Sequence, residues 1–166
     1  YWNLGKYETE DQVAAAQYFG KLPYIDEDRM AIWGWSYGGF MALNCLTYGN
    51  ETFKAGISIA PVTDWRLYNT AYTERFMSTP QENDLGYEQS DLITKAHLLK
   101  GKLLLCHGTA DDNVHFQHAM LYCDALVEAG IQFEMQIYPN KNHSILGAKT
   151  RYHLYTRFNT FLKNNL

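Results

Sequence analysis

Short apolar runs alternate with amphipathic segments along most of the 166-residue chain. Four runs have the length of strands and are rich in apolar or β-branched residues: RMAIWGW, AGISIAP, KLLLCHG and FEMQIYP. The spacing of apolar residues predicts helices in FMALNCLTYG, HFQHAMLYCDALVEAG and YHLYTRFNTFLKNN. Nearly continuous apolar strands that alternate with helices are typical of a parallel sheet covered on both faces. We therefore predict an α/β fold with a parallel sheet of about four strands and flanking helices.

Capping and turn signals organise the rest of the chain. Thr9 to Gln12 has the T-x-x-Q pattern of a capping box, which predicts a helix that continues through VAAAQYF. The longest irregular stretch runs from about Thr63 to Leu92, where we expect one or two short helices in a crossover connection. No repeat or low-complexity linker divides the sequence, so residues 1–166 are expected to belong to a single domain.

Composition and charge exclude several classes of partner. The hydrophobic content of 46% suits a globular domain with a core, and the net charge of -4 without a Lys/Arg cluster argues against binding nucleic acid. No apolar segment approaches the ~20 residues that span a bilayer, so we expect no membrane segment in this chain. The three cysteines, Cys45, Cys106 and Cys123, lack metal-ligand spacing and are expected to be buried free thiols. No phosphate-loop or dinucleotide motif is present, and neither a metal nor a cofactor is expected.

One segment carries a motif with a chemical meaning. Residues 34–39 read GWSYGG, which places Ser36 in a G-x-S-x-G pattern between an apolar strand and a helix. In such a strand–turn–helix the turn is tight, its neighbours are small, and the serine hydroxyl is lifted above the sheet. The backbone N–H of Tyr37 then points to the place where an oxyanion would form, at the positive end of the helix. We predict that Ser36 is a nucleophile and that Tyr37 N–H is an oxyanion donor.

A serine hydroxyl is a weak nucleophile at neutral pH, so it needs a base that is itself oriented by an acid. In α/β-hydrolases both groups lie on loops after later strands, in the order Ser, Asp or Glu, His. The loop after KLLLCHG offers Asp111 and Asp112, and spacing alone does not choose between them. His143 follows the last strand and is the expected base, whereas His107 ends a strand and is expected to shape the aspartate loop by hydrogen bonding.

Four stretches of the chain together resemble one family of enzymes. RMAIWGWSYGGF, APVTDWRLYNTAYTERFM, HGTADDNVHF and the C-terminal histidine loop are similar to the catalytic domain of the dipeptidyl peptidase IV family, in the prolyl oligopeptidase clan of serine peptidases. The resemblance covers nearly the whole chain. It implies that Ser36 is the nucleophile, Asp111 the acid and His143 the base. It also implies the C-terminal portion of an α/β-hydrolase fold, a partial domain whose N-terminal strands are missing from this sequence.

The resemblance further implies an activity and a substrate pocket. The family releases N-terminal dipeptides from peptides with Pro or Ala at the penultimate position, through an acyl-enzyme on the serine. Without the resemblance, the aromatic residues near position 65 would indicate packing, since aromatic stripes usually do. By resemblance the pocket for the penultimate side chain is lined by Val62, Trp65, Tyr68, Tyr72, Tyr37 and Val114. A compact, uncharged aromatic box suits a proline ring, and Asn113 is expected to contact the backbone carbonyl of the substrate.

Other implied features lie outside this sequence, and alternatives remain. The family's second oxyanion donor is an upstream tyrosine, and paired glutamates of a β-propeller bind the amino terminus of the peptide. Since each oxyanion donor contributes about 10²–10³ in rate, the 166-residue chain alone is expected to be weakly active or inactive. The resemblance also implies a homodimeric parent, with the last helix as a contact, and favours a periplasmic, extracellular or cell-surface location over the cytoplasm. The alternatives are an acylaminoacyl peptidase, oligopeptidase or esterase of the same clan, or a non-catalytic interaction module.

Overall fold

A parallel β-sheet is the framework of the chain. The computed structural model describes residues 1–49 and 51–166, and within these residues it has six α-helices and four strands. The helices are α1 (Lys6–Gly20), α2 (Tyr37–Tyr48), α3 (Thr70–Met77), α4 (Asp84–Ser90), α5 (Gln117–Glu128) and α6 (Ala148–Asn165). The strands are β1 (Ala31–Trp35), β2 (Ala55–Ile59), β3 (Lys102–Gly108) and β4 (Glu134–Tyr138). The predicted number of strands and their parallel order with intervening helices are confirmed.

The strands follow one another in the sheet as they do in the chain, in the order β1-β2-β3-β4. Every neighbouring pair is parallel, and Trp35 is level with Ile59, which is level with Cys106. The carboxyl ends of all the strands therefore lie at the same edge of the sheet. Ligands and catalytic groups of open α/β sheets collect at this edge, and the loops with Ser36 and His143 begin here.

Both faces of the two central strands, β2 and β3, are buried, as the nearly continuous apolar runs predicted, whereas the edge strands β1 and β4 are partly exposed. Along β3, Leu103 and Leu105 belong to the hydrophobic cluster that contains residues of α2 and α5. Leu104 and Cys106 belong to the opposite cluster, which contains Leu154, Phe158 and Phe161 of α6. Successive side chains of a strand point to opposite faces. A strand covered by helices on both sides is therefore apolar at nearly every position and does not show the alternation of polar and apolar residues that is typical of a half-exposed strand.

Small residues of β2 allow α2 to approach the sheet closely. A Cβ atom added to Gly56 would lie 2.6 Å from Cδ1 of Leu46 in α2. Two residues further along β2 toward the site, the Ser58 hydroxyl donates a hydrogen bond to the carbonyl of Gly39 at 2.9 Å. The helix is thus fixed to the sheet at its first turn, which fixes the position of the residue before it, Ser36.

The beginning of the first helix differs from the sequence prediction. The capping box predicted at Thr9 to Gln12 is wrong, because α1 already begins at Lys6, after Gly5 in a left-handed conformation with φ 90°. The carboxylate of Glu8 caps this end by accepting from the Gly5 N–H at 3.2 Å. Thr9 does not cap the helix, since its hydroxyl donates backward to the carbonyl of Gly5. A residue one turn upstream therefore serves as the cap.

The remaining predictions on elements and thiols are largely confirmed. The crossover between β2 and β3 contains α3 and α4, as expected. All three cysteines are free; Cys45 and Cys106 are buried, whereas Cys123 is only partly buried. Burial raises the pKa of the Cys45 and Cys106 thiols to about 12, so both are protonated at neutral pH. Within residues 1–49 and 51–166, no helix has the length and apolar character needed to cross a bilayer.

Candidate active site

Ser36 lies in the turn between β1 and α2 with a strained backbone. Its φ is 60° and its ψ is -117°, in a region that residues with a Cβ rarely adopt. The Ser36 N–H donates to the carbonyl of Ile59 at 2.8 Å, and the Ser36 carbonyl accepts from the N–H of Phe40 at 3.0 Å. The strained residue is therefore held by β2 on one side and by the first turn of α2 on the other. This is the strand–turn–helix geometry predicted from GWSYGG.

Two glycines allow the close backbone contacts of this turn. A Cβ on Gly34 would lie 2.0 Å from the carbonyl oxygen of Gly38, and a Cβ on Gly39 would lie 2.7 Å from that of Ile59. Gly38 behaves differently, because within the described residues no atom outside its own helix and neighbours lies within 4 Å of an added Cβ. Gly34, the first glycine of the motif, and Gly39, which directly follows the motif, are thus required by the fold. Gly38, the second glycine of the motif, leaves open space at the start of α2.

The backbone of Tyr37 meets the predicted requirement for an oxyanion donor. Tyr37 is the first residue of α2, and the first N–H groups of a helix have no carbonyl partner inside it. The helix also carries partial positive charge at this end. An oxygen that becomes negative next to the Ser36 hydroxyl would meet this N–H.

Asp111 is buried in the loop after β3, and both of its carboxylate oxygens accept hydrogen bonds. One oxygen accepts from the backbone N–H groups of Asn113 and Val114, each at 3.0 Å. The other lies 2.8 Å from Nδ1 of His143 and 3.2 Å from Nε2 of His107. Burial opposes the negative charge, but the hydrogen bonds from both histidines and from the Asn113 N–H outweigh it. The pKa of Asp111 is therefore held well below its usual range.

His143 faces Asp111 with one ring nitrogen and leaves the other available. Because the ionised Asp111 is an acceptor only, Nδ1 of His143 carries the proton and Nε2 has the free lone pair. The His143 side chain is 19% exposed, so a bound molecule can reach it. Among the described residues no hydrogen bond joins His143 to the Ser36 hydroxyl, and such bonds often form fully only with substrate present.

The structure distinguishes Asp111 from Asp112 and shows the contacts of His107. Asp112 is exposed, whereas Asp111 is buried against His143. His107 is fully buried, and its Nε2 lies 2.8 Å from the carbonyl of Val114. His107 therefore shapes the aspartate loop, as expected, and its contact with the carboxylate of Asp111 adds to that role.

The six residues predicted for the pocket lie in one cluster around Trp65. The ring centroids of Tyr37, Tyr68 and Tyr72 each lie 5.8 Å from that of Trp65. Val62 and Val114 are buried in the same hydrophobic cluster. The indole and the two valines are buried, whereas the three tyrosines are partly exposed. The cluster is thus both a packing core and a surface of aromatic faces that a ligand can touch.

Asn113 is oriented by a member of this cluster. The hydroxyl of Tyr68 donates to Oδ1 of Asn113 at 2.7 Å. Since the amide oxygen is engaged, the amide NH₂ is the group left to bind an acceptor. An open cleft adjoins this pair and is lined by Leu67, Tyr68, Asn69, Asp112, Asn113 and His115.

Sequence reasoning missed the contacts made by Glu8 and Trp35. Glu8 accepts a hydrogen bond from the Tyr37 hydroxyl at 2.6 Å. Burial of the phenol, followed by this contact, raises the pKa of Tyr37. Trp35 donates its indole N–H to the carbonyl of His143 at 2.8 Å. The only sequence signal was the position of Trp35 beside the serine, where a half-buried indole N–H needs an acceptor.

Comparisons with known proteins agree with this geometry. The model of the prolyl oligopeptidase family matches residues 1–166. The chain belongs to the prolyl oligopeptidase family. This family assignment and the sheet order together confirm the expected α/β-hydrolase fold, and the similar proteins described next confirm the resemblance to dipeptidyl peptidase IV.

Curated relatives and solved structures within the family are considerably longer than this chain. The probable dipeptidyl-aminopeptidase B of Aspergillus oryzae is 46% identical over 165 residues, which are 98% of this chain and 18% of that protein. Its counterpart in Arthroderma benhamiae is 49% identical over 146 residues, 86% of this chain and 16% of that protein. The crystal structure of Porphyromonas gingivalis dipeptidyl peptidase 4 matches with 57% identity and a TM-score of 0.98, over 100% of this chain and 24% of that one. A putative dipeptidyl aminopeptidase IV from Bacteroides ovatus matches with 36% identity and a TM-score of 0.96, over 100% of this chain and 23% of that one.

Gly34 and Gly38 provide a matched test of the tight turn. We expect Gly34→Ala to lower the free energy of unfolding of the intact protein by about 3 kcal/mol or more, because its Cβ would overlap a backbone carbonyl. Gly38→Ala adds the same methyl group to open space in a helix, so its stability should stay within about 1 kcal/mol of the wild type. Urea unfolding of both variants measures the difference. Equal stability of the two would contradict the backbone contact.

The lowered pKa of Asp111 predicts how the stability of the protein changes in acid. Its pKa is lower in the folded state than the unfolded value of about 3.9, so the ionised form favours folding. The contribution is fully present above the unfolded pKa and is lost as pH falls through the folded pKa. We expect Asp111→Asn to lower the free energy of unfolding at pH 7 by about 1–3 kcal/mol. Its deficit relative to the wild type should shrink as pH falls below about 4.

The exposed neighbour is the control for this experiment. Asp112→Asn makes the same chemical change one residue away and should alter stability by no more than about 0.5 kcal/mol. Chemical denaturation at a series of pH values compares the three proteins. A constant deficit of Asp111→Asn at all pH values would show that the charge of Asp111 does not stabilise the fold.

Proposed function

We propose that the intact protein is a serine peptidase that releases N-terminal dipeptides from peptides with Pro or Ala at the penultimate position. The observation that carries the proposal is the buried Asp111–His143 hydrogen bond of 2.8 Å, at the sheet edge where the strained Ser36 turn lies. The names of the similar proteins, dipeptidyl-aminopeptidase B and dipeptidyl peptidase 4, support the substrate class. This chain spans about a quarter or less of those proteins, so the proposal concerns the whole enzyme.

The proposed reaction begins with attack by the Ser36 hydroxyl on the carbonyl of the penultimate residue. Nε2 of His143 accepts the serine proton as the bond forms and later donates it to the leaving amine. The negative charge of Asp111 stabilises the imidazolium that exists between these two steps. The backbone N–H of Tyr37 donates to the tetrahedral oxyanion. Water then repeats the sequence on the acyl-enzyme and releases the dipeptide.

The substrate pocket in this proposal is formed by the cluster around Trp65. Its partly exposed tyrosines, Tyr37, Tyr68 and Tyr72, present ring faces that match the flat ring of proline. The smaller alanine fits the same space with fewer contacts, and the six side chains assigned to the pocket carry no charge that would pair with a basic side chain. The free amide NH₂ of Asn113 would donate to the carbonyl of the first residue of the substrate.

Two further parts of the proposal rest on resemblance. We propose that residues 1–166 form part of one peptidase domain and that the intact enzyme is a homodimer. Gel filtration coupled to light scattering measures the mass of the intact protein in solution. A monomer would rule out the homodimer and leave the chemistry of the site unaffected.

The nucleophile is tested by replacing the serine. Ser36→Ala in the intact protein should lower kcat/KM for an Ala-Pro amide by about 10⁴-fold or more, while the unfolding midpoint changes little. Ser144→Ala, at an exposed serine next to His143, is the matched control and should retain activity. A fluorophosphonate probe should label Ser36 and leave Ser36→Ala unlabelled, as read by peptide mass spectrometry. Full hydrolysis by Ser36→Ala would overturn the assignment.

The substrate class is tested by blocking the amino terminus. We expect the intact protein to cleave a free Ala-Pro amide and to leave its N-acetylated form uncut, since a dipeptidyl peptidase requires the free amine. Cleavage of the acetylated amide in preference to the free one would instead favour an acylaminoacyl peptidase. Failure to cleave either amide, with Ser36 still labelled by the probe, would favour an esterase or an oligopeptidase.

A further inference from the structure

The histidine loop, defined here as residues 139–147 between β4 and α6, starts far from the Ser36 turn that His143 has to approach. The sheet order places β4 three strands from β1, which is about 14 Å at the usual strand spacing. The Asp111–His143 bond fixes Nδ1 of the imidazole, but Asp111 follows β3 and is itself two strands from the Ser36 turn. That bond alone does not set the distance from Nε2 to Ser36. Other contacts of the loop, from Asn140 to Thr109 and from Lys141 to Ala110, also lie on the β3 side. A contact from the β1 side of the sheet would constrain this distance directly.

Trp35 provides a contact from that side. It is the last residue of β1 and is bonded directly to Ser36 along the chain. Its indole N–H donates to the carbonyl of His143 at 2.8 Å, across a sequence separation of 108 residues. One peptide unit thus separates the candidate nucleophile from a hydrogen bond to the backbone of the candidate base.

Arg151 holds the next carbonyl of the loop. It lies in the first turn of α6, and its Nη2 donates to the carbonyl of Ser144 at 2.8 Å. The guanidinium carbon lies 5.3 Å from the ring centroid of Trp35, within the range of a cation–π contact. Two side chains that touch each other therefore bind two consecutive carbonyls, those of residues 143 and 144.

The backbone of the histidine loop needs such anchors. Asn140 and Ile145 have positive φ values of 57° and 46°, which are unfavourable for residues with a Cβ and are kept only when surrounding contacts impose them. Ile145 is buried in the cluster beneath α6 and fixes one end of the segment. Residues 143 and 144, on the other side, are held by Trp35 and Arg151.

We propose that Trp35 and Arg151 are positioning residues that place the His143 imidazole opposite Ser36. The inference deepens the function proposed above and depends on it. Trp35 sets the distance between the serine turn and the histidine loop, and Arg151 holds the indole and the loop together. A misplacement of about 1 Å between reacting groups is able to cost about 10²-fold in rate, so a contact this close to the nucleophile affects turnover more than binding.

The test uses Trp35→Phe in the intact protein, with Trp33→Phe as its matched control. Trp35→Phe keeps an aromatic ring under Arg151 and removes the N–H donor. Trp33 lies two residues earlier on the same strand, is 58% exposed and packs against Phe158 of α6. The measurements are the second-order rate constant of fluorophosphonate labelling at Ser36, kcat and KM for an Ala-Pro amide, and the unfolding midpoint.

We expect Trp35→Phe to lower the labelling rate constant and kcat by about 10- to 100-fold, with KM within about twofold of the wild type. Trp33→Phe should match the wild type in the labelling rate constant, in kcat and in KM. Arg151→Met should also slow labelling, and its effect in combination with Trp35→Phe should be smaller than the product of the single effects, because the two residues act on one loop. If Trp35→Phe does not fold, Arg151→Met alone decides the question.

The possible failures are distinguishable. If the wild type is neither labelled at Ser36 nor active, the proposed function is wrong and this inference falls with it. If the wild type is labelled and Trp35→Phe is labelled equally fast, the inference is overturned while the proposed function stands. A lower unfolding midpoint or a smaller labelled fraction, with an unchanged rate constant for the labelled molecules, would indicate a structural role only and would also overturn it.

Discussion

The close approach of α2 to β2 is the contact on which the candidate site depends. Gly56 and Ser58 of β2 leave room for the helix, and Gly39 in its first turn lies against the carbonyl of Ile59. A helix that packs so close to the sheet cannot be reached from β1 by a relaxed loop. The chain turns within one residue, and Ser36 takes the unfavourable φ of 60°. The strained, partly exposed position of the serine is therefore a consequence of how tightly helix and sheet pack.

A buried charge is the second requirement of the site. The carboxylate of Asp111 lies in the interior and is compensated by two backbone N–H groups and two histidines. Leaving such a charge without partners would cost several kcal/mol, so the loop after β3 is stable only in the conformation that supplies these donors. The same conformation directs one carboxylate oxygen to Nδ1 of His143. Stability of the loop and orientation of the candidate base thus have the same cause.

Sequence reasoning succeeded where local pattern and burial coincide. The run KLLLCHG corresponds residue for residue to β3, Lys102–Gly108, because a strand buried on both faces has a continuous apolar sequence. The choice between Asp111 and Asp112 required the family resemblance, since burial of one carboxylate depends on the path of a loop. The contacts of Trp35 with His143 and of Glu8 with Tyr37 span 108 and 29 residues. No local pattern encodes these pairs, and they followed only from the packed structure.

Tyr37 connects the chemistry of the site with its pocket. Its backbone N–H heads α2 beside Ser36, whereas its ring packs against Trp65 and its hydroxyl is held by Glu8 of α1. The ring cannot shift to admit a larger side chain without breaking the hydrogen bond to a partly buried carboxylate or moving the first residue of the helix. A movement of that residue would displace the N–H that we propose as the oxyanion donor. Under the proposed function, a poorly fitting side chain would weaken the stabilisation of the oxyanion as well as its own binding, and discrimination between substrates would extend to the chemical step.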